Sequence, residues 1–456
     1  MAQSLPDGLL VAVYGDDFTG SAAVMEVMAF AGLRSALFLD LPTEEHLARF
    51  PGLRALVVAG TARSHGPEWM DAHLPRIFEG LARTGAPLVH YKVCSTLDSA
   101  PHVGSIGRAV DIALDTFAAP WVPVLLAAPA IRRYQCFGHL FAAAPGGVFR
   151  LDRHPVMARH PVTPMNDAEV ARHLSRQTKL PIGVLDLEAL GDDGTARSRL
   201  ARLKADGTRI VCLDTVGEDD LAQCGALIWQ SRGNGAFCVG SQGVEYALVA
   251  HWRRTGAIPM AEPDRGLGPS RGMMSVSGSV SPVTAAQIDW ALANGFAGLP
   301  LDPADLLAGD DQARASEDAV VTACRAALSE GRDPLVYTAR GPDDPSVTRL
   351  AEVRARTKID TETANTRIGI ALGRILARVV RETGARRAVI SGGDTSGHAS
   401  RQLGIFALTA LAPTIPGAAI CRAWSTDAAF DGLELALKGG QMGSEDYFGR
   451  VRDGGG

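Results

Sequence analysis

The sequence predicts an α/β protein of two domains, each a mostly parallel sheet flanked by helices. Three observations carry this expectation. Strand-sized apolar runs rich in Val, Ile and Leu recur along the chain, and most are continuously hydrophobic, as strands covered on both faces must be. Helix-like segments separate many of them, the alternation that builds parallel sheets. Finally, residues 255–272 hold seven Gly or Pro in eighteen positions, a composition suited to an exposed connection. A length of 456 residues calls for two or three domains.

In order, the strand candidates of the first half are LLVAVYG (9–15), SALFLD (35–40), ALVVAG (55–60), PLVHYKV (87–93), VPVLLAA (122–128), PIGVLDL (181–187), RIVCLD (209–214) and AFCVG (236–240). Beyond the 255–272 stretch follow MMSVSGS, a helix from Thr284 to Asn294 and the strand PLVYTA (334–339). A long helix then starts near Asn365, with Ile368, Leu372, Ile375, Leu376 and Val379 on one face. RAVISGGDTSG (387–397) reads as strand, glycine turn and new helix, and the tail VRDGGG carries no fold information by its composition.

Composition excludes several classes. Hydrophobic residues at 46% and charged residues at 21% indicate a folded chain, and the net charge of −5 comes with no basic block for a nucleic-acid backbone. No apolar stretch is long enough to span a membrane, and MAQSLPDG lacks the pattern of a secretory leader. Seven irregularly spaced cysteines, several inside apolar runs, read as reduced thiols of a cytoplasmic protein. The histidines show no zinc-site spacing.

Three constellations carry chemistry. In VAVYGDDFTGS a strand runs into Asp16 and Asp17 and then a helix. At a strand's carboxyl end such carboxylates bind polyol hydroxyls or accept a proton, while either one also serves as a helix N-cap. Two further strand ends, GTARSHG and HYKVCSTLDS, bring Arg63, Lys92, Ser95 and Thr96, groups suited to a small carboxylate. The third set comprises the glycine blocks SVSGSVSPVTAAQI, ISGGDTSG and LKGGQMGSEDYF, which expose backbone N–H groups to phosphates although none is a P-loop.

Taken together and in this order, GDDFTGS, GTARS, FCVGSQGVEYAL, SGSVSPVTAAQI, SGGDTSG and LALKGGQMGSEDYF resemble the four-carbon acid sugar kinase family over nearly the whole chain. YKVCSTLDSAPHVGSIG is similar to the branch acting on 3-oxo-tetronates. The chain departs from the family pattern at Gly15, where Ala is usual in A-D-D-[FL]-T-G-A, and at His139, where many members carry Arg. The resemblance implies a sugar-acid domain (1–254), a linker (255–272) and a nucleotide-binding domain (273–450), with the active site in the cleft between them. It implies ATP and Mg²⁺, and a small sugar acid as partner; metal ligands and a homo-oligomer stay open.

By the same resemblance Ser277, Gly278 and Ser279, then Gly392, Gly393, Asp394 and Thr395, then Gly439 and Gly440 hold the nucleotide. It also implies that Asp17, Arg63 and Lys92 face the sugar acid. From the residues themselves, Arg63 and Lys92 with Ser95 or Thr96 are expected to hold its carboxylate, Asp16 to bind it as well, and Asp17 or Asp394 to orient its hydroxyl. The expected reaction is phosphorylation of the terminal hydroxyl of a 3-oxo-tetronate. The alternatives are D-threonate, D-erythronate, a branched 3-oxo sugar acid or, without catalysis, sugar-acid binding alone.

Overall fold

The structure, a computed structural model, describes residues 4–233, 236–260 and 266–456 apart from the side chain of residue 394. The chain forms two compact units, Met1–Glu262 and Pro263–Gly456.

The first unit contains β1 (Val11–Gly15), β2 (Ser35–Phe38), β3 (Ala55–Ala59), β4 (Val89–Lys92), β5 (Val122–Leu125), β6 (Arg133–Cys136), β7 (His139–Ala144), β8 (Gly147–Arg150), β9 (Ile182–Leu185), β10 (Ile210–Leu213) and β11 (Phe237–Gly240). Its main sheet runs β2-β3-β1-β4-β11-β5-β10-β9, with every neighbouring pair parallel. These are the eight apolar runs expected from the sequence. Their core residues, such as Val11, Val57, Val124 and Cys212, are buried because helices cover both faces. The antiparallel sheet β6-β7-β8, not anticipated, crosses the carboxyl ends of this sheet: Gln135 pairs with Thr215, and Arg133 with Ala128 just beyond β5.

The second unit contains β12 (Met273–Ser277), β13 (Ala297–Pro300), β14 (Pro334–Tyr337), β15 (Arg387–Ser391), β16 (Ile405–Ala412), β17 (Ile420–Ser425) and β18 (Glu434–Lys438), in the order β13-β14-β12-β15-β18-β17-β16. The first five are parallel, and β17 runs antiparallel to both neighbours. The helix Pro282–Ala293 matches its expected span closely, and the long helix Thr361–Thr383 begins four residues early, because Asp360 caps it by accepting from Thr363 N. Its expected apolar face, from Ile368 to Val379, is buried.

The tail does carry fold information. Tyr447, Phe448 and Val451, on the helix Tyr447–Asp453, belong to the second unit's core. Beyond them Leu267 N donates to Gly454 O, Ser270 N to Arg452 O, and Gly456 N to Pro413 O. Arg387, buried at the start of β15, donates to Gly268 O, Val451 O and Arg452 O. Residues 266–270 of the glycine-rich stretch therefore pack as part of this unit.

Both units share one device. In each, the first strand lies between the third and the fourth (β3-β1-β4; β14-β12-β15), so the chain leaves it in opposite directions on its two sides. In parallel sheets this switch point opens a crevice at the strands' carboxyl ends.

Candidate active site

At the first unit's switch point, three strand ends converge. Asp16 and Asp17 follow β1, Arg63 lies in the turn after β3, and Lys92 ends β4. Arg63 grips Asp16 side-on, Nε to Oδ2 at 3.1 Å and Nη2 to Oδ1 at 2.6 Å, and Nη2 also reaches Asp17 Oδ1 at 2.7 Å. Lys92 Nζ lies 3.4 Å from the same Asp17 oxygen. Asp17 is also the N-cap of the helix Phe18–Phe30, accepting from Gly20 N at 3.1 Å. Gly20 is required by this close approach, because a Cβ there would collide with Lys92 Nζ and Asp17 Oδ1.

Two carboxylates and two cations thus balance. Asp16 and Lys92 are 1% and 3% exposed, so they serve as foundations, whereas the Asp17 and Arg63 side chains keep 27% and 19% exposure. Burial pushes the Asp16 carboxyl above the usual range. Burial acts on Asp17 in the same sense, but Arg63, Lys92 and the Gly20 N–H outweigh it and hold Asp17 below that range. Of the two carboxylates, Asp17 is the more acidic and the more reachable. Ser95 is half-buried, and Thr96 is buried with its Oγ1 3.1 Å from Cys94 Sγ.

The Gly15 departure has a local cause. A methyl group at position 15 would collide with the Ser21 hydroxyl, which bonds Asp17 O at 2.7 Å. Ser21 stands where the family pattern has its second Ala, so Gly15 and Ser21 form one compensated exchange. His139, the second departure, lies on β7 with Nδ1 2.8 Å from Phe137 O.

At the second unit's switch point, the three glycine blocks meet. Gly278 N donates to Ser391 O and Gly392 N to Lys438 O. A Cβ on Gly278 would strike the Thr395 hydroxyl, and one on Gly440 the Ser279 hydroxyl. Gly392, at φ 129°, makes the turn from β15 into the helix Gly393–Gln402. A cavity of about 340 Å³ opens beside this cradle. Gly278, Ser279, Gly392, Gly393 and Thr395 line one part of it, and Pro303, Ala339, Val347, Leu350 and Ile368 give an apolar part. A wall of donors joined to an apolar slot fits a phosphate chain attached to a flat base.

The expected nucleotide residues therefore come together, with two distinctions. Ser277 is fully buried in β12 with no partner for its hydroxyl, and Ser279 is the serine of that block that lines the cavity. Asp394 lies on the helix Gly393–Gln402, but its side chain falls outside the described residues. Sequence reasoning missed the apolar slot, whose residues are scattered over three segments, and it missed Lys438. This lysine is 1% exposed, with Nζ 3.1 Å from Gly439 O and 3.3 Å from Thr284 Oγ1. No carboxylate pairs with it among the described residues, and burial pulls its pKa down to about 8. Thr284 Oγ1 in turn bonds Gly440 O at 2.8 Å, so Lys438 braces the glycine turn. A lysine ending an apolar strand just before Gly-Gly was the available signal.

Comparison with known proteins follows the same division. A sugar-binding N-terminal domain family matches residues 11–248, and a nucleotide-binding C-terminal domain family matches 274–448. The chain belongs to the four-carbon acid sugar kinase family. This sugar-acid kinase is 46% identical to the 3-oxo-isoapionate kinase of Paraburkholderia graminis over 99% of its own length and 96% of that protein. It is 32% identical to the 3-oxo-tetronate kinase of Methylobacterium radiotolerans (98% and 99% covered) and 28% identical to that of Pseudomonas savastanoi (97% and 96%). Among solved structures, a Haemophilus influenzae protein of the family DUF1537 shares the fold, with a TM-score of 0.71 at 23% identity (97% and 99% covered). A Salmonella typhimurium LT2 protein reaches 0.78 at 23% identity (97% and 98%). The kinase uses ATP, and no helix among its described residues is long and apolar enough to cross a membrane.

Proposed function

We propose that this kinase transfers the γ-phosphoryl group of ATP to the primary hydroxyl of a branched 3-oxo sugar acid of the 3-oxo-isoapionate type. Of the substrates expected from sequence, the branched alternative is favoured over the linear 3-oxo-tetronate by the 46% identity to a 3-oxo-isoapionate kinase, against 32% and 28% to the 3-oxo-tetronate kinases. The observation that carries the reaction is Asp17, a partly exposed carboxylate held ionised at the first unit's switch point.

Phosphoryl transfer asks the protein mainly for positioning and charge neutralisation. The apolar slot takes the base, and the N–H groups after Gly392, with the Ser279 and Thr395 hydroxyls, take the phosphates. Asp17 accepts the hydrogen bond of the attacking hydroxyl and aligns its lone pair; Arg63 and Lys92 keep Asp17 anionic and immobile. Among the described residues no group of three or more His, Cys, Asp or Glu is placed to hold a metal. Mg²⁺ needs none, since it is ordinarily bound by one or two carboxylates together with substrate phosphates and water. Its contribution when bound would be to neutralise phosphate charge.

The test is ADP release with Mg²⁺–ATP against 3-oxo-isoapionate, 3-oxo-tetronate, D-threonate and D-erythronate. Turnover of the branched acid with at least tenfold higher kcat/KM than the others is expected. A preference for the linear 3-oxo acid would return the enzyme to the tetronate branch.

A further inference from the structure

The kinase must also hold the carboxylate of its acid, and the first-unit cluster leaves little to do so. Arg63 presents its Nε–Nη2 edge to Asp16 and shares Nη2 with Asp17, while Lys92 is buried against Asp17. A second guanidinium lies nearby in a different condition. Arg133 opens β6, beside Ala128 and thus at the carboxyl end of β5. Its Nη1 makes only long bonds to carbonyl groups, at 3.2 Å to Ile131 O, 3.3 Å to Arg132 O and 3.4 Å to Ala143 O. Its Nε is buried with no partner, Nη2 makes no bond, and no carboxylate pairs with it among the described residues. The guanidinium thus lacks a counter-charge, and its Nη2 N–H groups are left to serve a carboxylate, the anion that arginine fits best.

Its location is built rather than incidental. Gln135 and Thr215 exchange backbone hydrogen bonds, and the Asp214 carboxylate accepts from Gly138 N at 3.0 Å and Gln135 Nε2 at 3.1 Å, pinning β6 across the strand ends. The Cys94 thiol, in the loop after Lys92, lies within electrostatic reach of both Arg63 and Arg133. Arg63 follows β3 and Arg133 lies beyond β5, four places away in the sheet, so roughly 19 Å separates the two strand ends and the loop after β4 lies between them. A half-buried guanidinium without a counter-charge is costly, and desolvation draws its pKa below the ordinary value.

We propose that Arg133 binds the carboxylate of the sugar acid through its unpaired guanidinium N–H groups. The proposal gives Arg133 the place that the sequence expectation gave to Arg63 and Lys92, and it rests on the sugar-acid kinase reading. The acid would lie between Arg133 at its carboxylate and Asp17 at its reacting hydroxyl, and a neutral polyol would leave Arg133 unpaired.

The experiment compares wild type with Arg133→Met and Arg133→Lys. Steady-state ADP release is measured with 3-oxo-isoapionate and 3-oxo-tetronate, alongside competition by two stable analogues. One is the reduced acid, which keeps the carboxylate; the other is the matching polyol, which carries CH₂OH there. For Arg133→Met, kcat/KM is expected to fall by roughly 30-fold or more, chiefly through KM. The preference of wild type for acid over polyol should collapse, ATP affinity should stay unchanged, and added guanidinium should restore part of the loss. Arg133→Lys, which keeps the charge without the fork, should fall between and guards against a folding defect in the Met variant. An unchanged KM and acid-over-polyol ratio in both variants overturns the assignment. Absence of wild-type turnover with every acid would instead overturn the substrate reading on which it stands.

Discussion

Charge is buried in two opposite ways in this kinase. Asp16, Asp17, Arg63 and Lys92 neutralise one another, so the cluster tolerates burial and holds its geometry before any ligand arrives. Lys438 has a hydroxyl, a carbonyl and the face of the Tyr447 ring for partners but no carboxylate among the described residues, and burial depresses its pKa. The unfolded chain keeps that lysine protonated up to its ordinary value of 10.5, whereas the folded one releases the proton near pH 8. Between those values the unfolded state binds more protons, so wild-type stability rises with pH across that window. Below it the full penalty applies, about 3 kcal/mol at most. Lys438→Met should therefore be more stable than wild type at pH 7, by less than that amount because two hydrogen bonds are lost. The advantage should shrink as pH rises from 8 to 10.5, as urea titrations would register. The same variant should bind ATP more weakly, since Gly439 and Gly440 lose their brace; equal ATP affinity would reduce Lys438 to a structural residue.

Elements differ sharply in how legible they were. All eight strands of the first unit's main sheet were readable, because a parallel strand covered on both faces must be apolar at every position. The strands β6, β7 and β8 were missed: Arg133-Tyr-Gln-Cys136 mixes polar and apolar residues because one face meets solvent or the site. The strands β16 and β17 were missed as well; β17, ICRAWS, mixes the two in the same way, whereas β16, IFALTALA, is apolar at every position but Thr409. The tail misled in another way. Its Gly-rich composition conceals hydrogen bonds made by backbone alone, which no side-chain pattern reveals. Ending the chain at Val451 removes the bonds from Leu267 N, Ser270 N and Gly456 N and one Arg387 acceptor. At about 0.5–1.5 kcal/mol each, the second unit should lose about 2–6 kcal/mol, visible as a lower urea midpoint. A midpoint unchanged from wild type would show those bonds to be replaced by water at no cost.

At the scale of the molecule, each unit places its first strand between its third and fourth and so opens its own crevice. Ligand protection should follow that division. In hydrogen exchange, a non-hydrolysable ATP analogue should slow residues 277–280, 338–347 and 392–396, while the sugar acid should slow 16–20, 61–64, 92–98 and 133–138. Each ligand at a hundred times its Kd should add about 2.7 kcal/mol to the unit it occupies. Protection by the acid confined to the second unit would contradict the site drawn for it. The sequence alone determined the class of fold, the two-part plan, the three glycine blocks and the acid–base residues after β1, β3 and β4. These are properties of local composition and order, since strand periodicity, turn chemistry and motif succession are written in neighbouring residues. Only the tertiary structure decided which charges were free. Arg63 and Lys92 pair with Asp16 and Asp17, Ser277 is buried in β12 while Ser279 lines the cavity, and Arg133 has no carboxylate partner among the described residues. Partnership between charges depends on distances across strands far apart in sequence, and such distances exist only once the sheet has formed.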